Sequence, residues 1–145
     1  MGRILALDAG RKRVGLAVSD PMQMIANALD TVSAHEVLNF ISAYVKREQV
    51  DVFVVGLPKQ MNGNDSESMQ YIRPLLKKLQ ENFPTIELVL FDERFTSAMA
   101  HKTMLEGGLK KKQRQDKALV DRIAATIILQ GYLESKRSLK ILEQI

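Results

Sequence analysis

Residues 4–19 read Ile-Leu-Ala-Leu-Asp-Ala-Gly-Arg-Lys-Arg-Val-Gly-Leu-Ala-Val-Ser. The apolar runs Ile4–Leu7 and Val14–Val18 show no polar alternation, which predicts a hairpin of two strands covered on both faces. The first run ends at Asp8 and Gly10, and three consecutive cations follow in the turn. Because glycine lets the backbone turn closely past a phosphate or an ion, this hairpin is a candidate chemical site.

The length of the chain, 145 residues, suits one domain, which we predict over residues 1–135 with a tail over residues 136–145. No cysteine is present, so disulfide frameworks and thiolate metal sites are excluded. The sequence has no signal-peptide pattern and no apolar run that could span a bilayer. We therefore expect a soluble, cytoplasmic protein with no membrane partner. The sequence leaves the oligomeric state open, and we favour a monomer or a weak homodimer.

Positive charge is concentrated in two short segments, although the net charge is only +4. One segment is residues 11–13, and the other comprises Lys110, Lys111, Lys112, Arg114 and Lys117. Clusters of this kind suit a polyanion, because several phosphates can be neutralised together. Charge alone fits two solvated loops at least as well.

Strand and helix patterns alternate after the hairpin. Strands are predicted at residues 24–32, 51–57 and 86–91. Helices are predicted from Ser33 to about Glu48, from Asp65 or Ser66 to about Asn82, from Thr96 or Ser97 to about Glu106, and from Asp116 to Ser135. Pro74 predicts a kink or a later start of the second helix. A hairpin followed by alternating helices and strands indicates an α/β fold with a mixed sheet and helices on both faces.

Three carboxylates are candidates for a shared site. Asp8 ends the first strand and Glu93 follows the last, and parallel strands present their carboxyl ends at one edge of the sheet. If these two strands are neighbours, the two carboxylates converge. Asp121 lies on the last helix, on a face that is otherwise formed by Ala118, Ala125, Ile128 and Tyr132.

Each carboxylate also has an ordinary structural explanation, such as pairing of Asp121 with Lys117 or Arg122. Their joint occurrence favours a site for one or two Mg²⁺ or Mn²⁺ ions. Such ions clamp a scissile phosphate, activate water and stabilise the leaving oxygen, so no nucleophilic side chain is required. The two histidines, His35 and His101, lie on predicted helices and far from any serine motif.

Four motifs resemble those of the YqgF family, Holliday-junction-resolvase-like proteins that are also described as pre-16S rRNA nucleases. The motifs are residues 8–17, Gly56-Leu57-Pro58 with Gly63, residues 92–97 and residues 120–125. They occur in the family's order, and the resemblance extends over about residues 3–133. It implies a ribonuclease-H-like, mixed five-stranded sheet with an antiparallel second strand. It also implies a divalent metal and a cytoplasmic role in trimming the 5′ end of the ribosomal RNA precursor, with the small ribosomal subunit as a possible partner.

The same resemblance assigns roles to individual residues. It places the catalytic and metal-binding acids at Asp8, Glu93 and Asp121, with Asp92 as a less certain neighbour. Residues assigned to substrate phosphates or to the margin of the site are Arg11, Arg13, Arg94, Thr96, Lys110, Lys111, Lys112 and Arg114.

Three other functions stay open at this stage. The first is a resolvase-like endonuclease acting on structured DNA, and the second is an RNA-binding ribosome-assembly factor that does not cut. The third is a phosphotransferase, because an Asp-x-Gly hairpin also cradles phosphates in the related actin-like ATPases. Length argues against the third, because those ATPases close two such domains over the nucleotide.

Overall fold

A computed structural model describes residues 2–57, 67–92 and 116–143, and for residues 137–143 it describes only the backbone. The strands are β1 (Arg3–Ala9), β2 (Arg13–Ser19), β3 (Ala26–Ser33), β4 (Val50–Leu57) and β5 (Glu87–Asp92). The helices are α1 (Val37–Arg47), α2 (Met69–Asn82) and α3 (Lys117–Glu143). Within these ranges no helix combines the length and the hydrophobicity needed to cross a bilayer.

The five strands form one mixed sheet in the order β3-β2-β1-β4-β5. Strands β1, β2 and β3 pair antiparallel in sequence order, whereas β4 is parallel to β1 and β5 is parallel to β4. The predicted mixed five-stranded sheet with an antiparallel second strand is therefore confirmed. Because β1, β4 and β5 run in the same direction, their carboxyl ends lie at one edge of the sheet.

Side chains alternate between the two faces of the sheet, and helices cover both. Leu5 and Leu7 of β1 belong to a buried cluster with residues of α1 and α2. Ile4 and Ala6 belong to a second cluster with Ala125, Ile128, Leu129 and Leu133 of α3. Each fully buried leucine or isoleucine contributes about 1.5–3 kcal/mol to folding. Burial on both faces explains why β1 shows no polar alternation.

The first helix begins later than predicted, whereas the second shows the later start that Pro74 predicted. Ser33 does not cap α1, because it pairs with Arg13 in the β2–β3 ladder. The helix begins at Val37, and its N-cap residue, Glu36, makes no side-chain capping bond. Helix α2 begins at Met69 and contains Pro74, in agreement with the predicted later start.

The last helix is longer than predicted. Its end was expected at Ser135, but α3 continues to Glu143. The expected end was wrong because residues 136–143 contain neither glycine nor proline to stop a helix. The predicted loop after Pro58, the predicted helix from Thr96 or Ser97 to Glu106 and the basic segment 109–115 lie outside the described residues.

Candidate active site

Asp8 lies near the carboxyl end of β1, where it pairs with Gly15 of β2. Alternation along the strand places Asp8 on the same face as Ile4 and Ala6, which is the face covered by α3. The residue is half-buried. This is the sheet edge at which open α/β folds place their sites.

Asp121 reaches the same place because residue 15 is a glycine. A Cβ atom built on Gly15 would overlap the carbonyl oxygen of Asp121 and would lie 3.1 Å from its Cβ atom. The backbone of α3 thus rests directly on β2 beside the position of Asp8. The structure thereby brings together two of the three carboxylates that the sequence singled out.

Contacts in its first turns fix α3 on the sheet. The hydroxyl of Thr31 donates a 2.6 Å hydrogen bond to the carbonyl of Ala118, and Thr31 pairs with Gly15 in the β2–β3 register. At the start of the helix, the Asp116 carboxylate accepts a 3.2 Å bond from the amide of Leu119. Because Thr31, Gly15 and Asp8 occupy one row across β3, β2 and β1, the contacts of Thr31 with Ala118 and of Gly15 with Asp121 set the position of α3 along that row.

The side chain of Asp121 pairs with Arg13 rather than with Lys117 or Arg122. The Arg13 Nε donates to Asp121 Oδ2 at 2.8 Å, and the two side chains are 40% and 23% exposed. A pair with this much exposure contributes at most about 1 kcal/mol to stability, so its main effect is to orient the carboxylate. Sequence reasoning missed the pairing, because 108 positions separate the two residues.

The turn that carries Arg11, Lys12 and Arg13 is compact and depends on Gly10. The Gly10 amide donates a 2.8 Å bond to the carbonyl of Arg13. A Cβ atom at Gly10 would lie 2.7 Å from that same oxygen, so a side chain would push the turn open. Arg11 and Lys12 are exposed on the turn, next to the Asp8 edge of the sheet.

The third carboxylate was predicted to converge with Asp8 on the condition that the first and last strands are neighbours, and β1 and β5 are not neighbours in the sheet. Strand β4 lies between β1 and β5, which puts the axes of β1 and β5 about 10 Å apart at the usual strand spacing. Asp92 pairs with Leu57 of β4 at the expected edge. However, Val89 and Phe91 pack on the α3 face, so alternation places Asp92 on the opposite face from Asp8.

The remaining predicted residues divide into two groups. Arg11 is described, and its Cζ lies 6.0 Å from the centre of the Tyr71 ring. The others lie outside the described residues: Glu93, Arg94, Thr96, Lys110, Lys111, Lys112 and Arg114. Sequence reasoning missed Thr31 and the packing role of Gly15. A glycine inside a buried strand was the available signal, since it often marks a close backbone approach.

The donor atoms in the described part of the site are of the type that a hard divalent cation prefers. Asp8 and Asp121 supply carboxylate oxygens, the donors that Mg²⁺ and Mn²⁺ prefer. Within residues 2–57, 67–92 and 116–143 no cluster of three or more potential ligand side chains is found. The two aspartates therefore account for part of the predicted ligand set, and the third predicted member, Glu93, lies outside these ranges.

Solved structures identify the class of fold. The chain is similar to Thermus thermophilus RuvC in complex with a Holliday junction substrate, with a TM-score of 0.59, 13% identity, and coverage of 95% of this chain and 97% of that one. A second structure of Thermus thermophilus RuvC gives a TM-score of 0.53, again at 13% identity. The match covers 94% of this chain and 96% of that one. At this identity the likeness shows the fold alone, which is ribonuclease-H-like.

Sequence relatives then identify the family. The family model described as RuvX, Holliday junction resolvase, matches residues 2–135. Relatives named "Putative pre-16S rRNA nuclease" include one from Bacteroides thetaiotaomicron, 61% identical over 94% of this chain and 99% of that protein. Another, from Flavobacterium johnsoniae, is 50% identical over the same shares. The chain belongs to the RuvX (YqgF) family and is a hydrolase of the nuclease class, which confirms the resemblance found in the sequence.

Proposed function

We propose that this chain is a divalent-metal-dependent nuclease that matures the 5′ end of pre-16S ribosomal RNA in the cytoplasm. The observation that supports the chemistry is the packing of the Asp121 backbone on Gly15, beside Asp8. The printed names of the close relatives support the substrate. An RNA partner, bound free or on the small ribosomal subunit, follows from that substrate.

Asp8, Glu93 and Asp121 are the proposed ligands of Mg²⁺ or Mn²⁺. When bound, such a cation supplies Lewis-acid stabilisation of the phosphate and lowers the pKa of a coordinated water. We favour Glu93 over Asp92 because Asp92 lies on the opposite face of the sheet from Asp8, as the packing of Val89 and Phe91 on the α3 face shows. In the absence of a cation, the Arg13 guanidinium occupies Oδ2 of Asp121.

A set of cationic residues, together with Thr96, is proposed to hold the substrate backbone. Arg11 and Lys12 are exposed on the turn that follows Asp8. Arg13, Arg94, Thr96, Lys110, Lys111, Lys112 and Arg114 complete the proposed set. Because phosphate contacts release counterions, RNA binding should weaken steeply as salt is raised.

The direct test is cleavage of labelled single-stranded RNA, duplex RNA and a four-way DNA junction, each with Mn²⁺, Mg²⁺ or chelator. Wild type should cut RNA only with metal. Asp8→Asn and Asp121→Asn should each cleave RNA about 100-fold more slowly or worse. Removing a metal ligand should lower activity at least as much as removing a neighbouring residue that positions a ligand.

The matched control is Asp51→Asn, which changes a carboxylate at the opposite end of the sheet. The Asp51 carboxylate accepts a 2.7 Å bond from the amide of Gly2, and an amide oxygen can replace it. This variant should cleave like wild type. RNA cleavage that survives Asp8→Asn, or that proceeds in chelator, would refute the proposed metal chemistry.

A second candidate function, junction cleavage, is favoured by the description of the matched family as Holliday junction resolvases. Symmetric cutting of a junction requires a two-fold dimer, whereas end trimming of RNA can be performed by a monomer. Preferential junction cleavage by a stable dimer would favour the resolvase. RNA binding without turnover, unaffected by Asp8→Asn, would favour a non-cutting assembly factor.

A further inference from the structure

A cavity of about 390 Å³ lies on the other side of the sheet edge that carries Asp8. Its walls come from three places: Ala9 and Gly10 at the end of β1, Ala34 and His35 between β3 and α1, and Tyr71 and Lys78 of α2. This volume lies within the range of natural small-ligand sites. The proposed metal chemistry uses none of these residues.

The cavity combines an apolar floor with a cationic rim. Buried Val14, Val37 and Leu75 form part of the floor. At the rim are the exposed Lys78 and the aromatic ring of Tyr71, with the Arg11 guanidinium 6.0 Å from the ring centre. An apolar slot with an aromatic side and cations at its mouth matches the chemistry of a nucleobase attached to phosphates.

The cavity and the Asp8 carboxylate are adjacent along the chain. Ala9 follows Asp8 directly and, by strand alternation, packs toward the α1 and α2 side, whereas Asp8 faces α3. Only the edge of the sheet and the Gly10 turn separate the two. A nucleic-acid strand with one phosphate at Asp8 can therefore pass over this turn, alongside Arg11, and place a neighbouring base in the cavity.

We propose that this cavity binds an unpaired nucleobase of the substrate, next to the phosphate that is cut. This inference rests on the proposed nuclease function and deepens it, because it makes the substrate single-stranded at that position. A paired base would first have to leave its stack, which adds a cost that an unpaired base avoids. Duplex RNA should then be a poorer substrate than single-stranded RNA of the same sequence.

The test is a double-mutant cycle that removes one base of the RNA, the aromatic ring of Tyr71, or both. Single-stranded RNA substrates carry one abasic nucleotide at successive positions around the cut. For wild type, kcat/KM should fall on the order of tenfold at one position beside the cut, the usual effect of losing one stacked base. For Tyr71→Leu, which retains apolar bulk toward the core, the abasic substrate should be cut as well as the intact one.

The control variant is Lys77→Ala, on the exposed side of the same helix, where Lys77 pairs with Glu81. For this variant, kcat/KM should fall on the abasic substrate as much as it does for wild type; this fall is the abasic penalty. Ala34→Leu, which fills the cavity from its opposite wall, should lose the penalty as Tyr71→Leu does. Thermal unfolding of each variant confirms that it is folded.

Binding is measured separately, so that the result does not depend on turnover. RNA carrying 2-aminopurine at the sensitive position should be quenched when it binds Asp8→Asn, and Ala34→Leu should abolish the quenching. An equal abasic penalty in wild type and Tyr71→Leu, or quenching that survives Ala34→Leu, would overturn the proposal. So would displacement of the probe by adenosine monophosphate at equal concentration, which would indicate a site for free nucleotide. If wild type cleaves no RNA but the 2-aminopurine probe is still quenched on binding, the proposed nuclease function is refuted and the proposed binding of a base in the cavity stands.

Discussion

The absence of one side chain, at Gly15, determines where the second aspartate lies. Any larger residue would have to displace either β2 or the backbone of α3 at Asp121. Because interiors are close-packed, the helix cannot move without disturbing Ala125 and Leu129, which are fully buried on the same face of the sheet. Gly15 is therefore both a packing residue and a determinant of the site.

Replacement of Gly15 by alanine should damage both stability and activity. Overpacking against a backbone carbonyl typically lowers the free energy of unfolding by about 1–3 kcal/mol. Urea unfolding and RNA cleavage measure the two effects. Gly2→Ala is the comparison, because the nearest atoms there belong to the Asp51 side chain and not to backbone; it should lower stability by disturbing the bond from the Gly2 amide to that carboxylate, and it should leave the cleavage rate unchanged. A Gly15→Ala protein with the stability and cleavage rate of wild type would contradict the packing described for α3.

Arg13 should oppose the binding of a divalent cation at Asp121, because its guanidinium already occupies one carboxylate oxygen. Arg13→Ala should lower the free energy of unfolding by no more than about 1 kcal/mol without metal. The same variant should reach half-maximal thermal stabilisation at a several-fold lower Mn²⁺ concentration than wild type. Lys12→Ala, which removes the same charge at an exposed neighbouring position, should shift this midpoint less. A midpoint that rises in Arg13→Ala would show that the guanidinium supports the cation site instead.

Among the larger pieces of structure, the β2–β3 connection depends on one carboxylate. Asp20 accepts hydrogen bonds from the amides of Ile25 and Met24, both at 2.8 Å, and of Met22 at 3.2 Å. The bonds from Ile25 and Met24 lower the pKa of Asp20 below its usual value of 3.8. Gln23, within the same connection, has a left-handed conformation with φ of 58°.

Stability should therefore depend on the charge of Asp20 in acid. Since its folded pKa is the lower one, Asp20 stabilises the protein above about pH 4, and this contribution is lost as the pH falls through the folded pKa. Asp20→Asn should be less stable than wild type at neutral pH and should lose less stability on acidification. Urea unfolding at several pH values between neutral and strongly acid tests this, and parallel pH profiles for the two proteins would contradict it.

Local sequence patterns were sufficient to predict every strand and helix of the described residues, but not all of their limits. Ser33 looked like a helix cap because its pairing with Arg13 in the β2–β3 ladder cannot be seen locally. The end of α3 was missed because nothing after Ser135 stops a helix. Strand order stayed open at the level of sequence, because periodicity does not specify the crossovers that place β4 between β1 and β5.

Across the whole molecule, the site joins residues from opposite ends of the chain. Alternation and helix periodicity correctly placed Asp8 at a sheet edge and Asp121 on a face packed against the sheet. The contacts that bring them together, Thr31 with Ala118 and Gly15 with Asp121, are long-range and were not predictable from either segment alone. The resemblance to the YqgF family supplied the same residues independently, and the family match confirms that resemblance.

The most direct measurement is Mn²⁺ binding, followed by the electron paramagnetic resonance signal of the free ion, for wild type, Asp8→Asn, Asp121→Asn and the double variant. If both carboxylates hold the same ion, each single variant should bind Mn²⁺ at least about tenfold more weakly, and the double variant should lose much less than the sum of the two effects. Asp51→Asn should bind like wild type. Single variants that bind Mn²⁺ as tightly as wild type would contradict a shared metal site at Asp8 and Asp121.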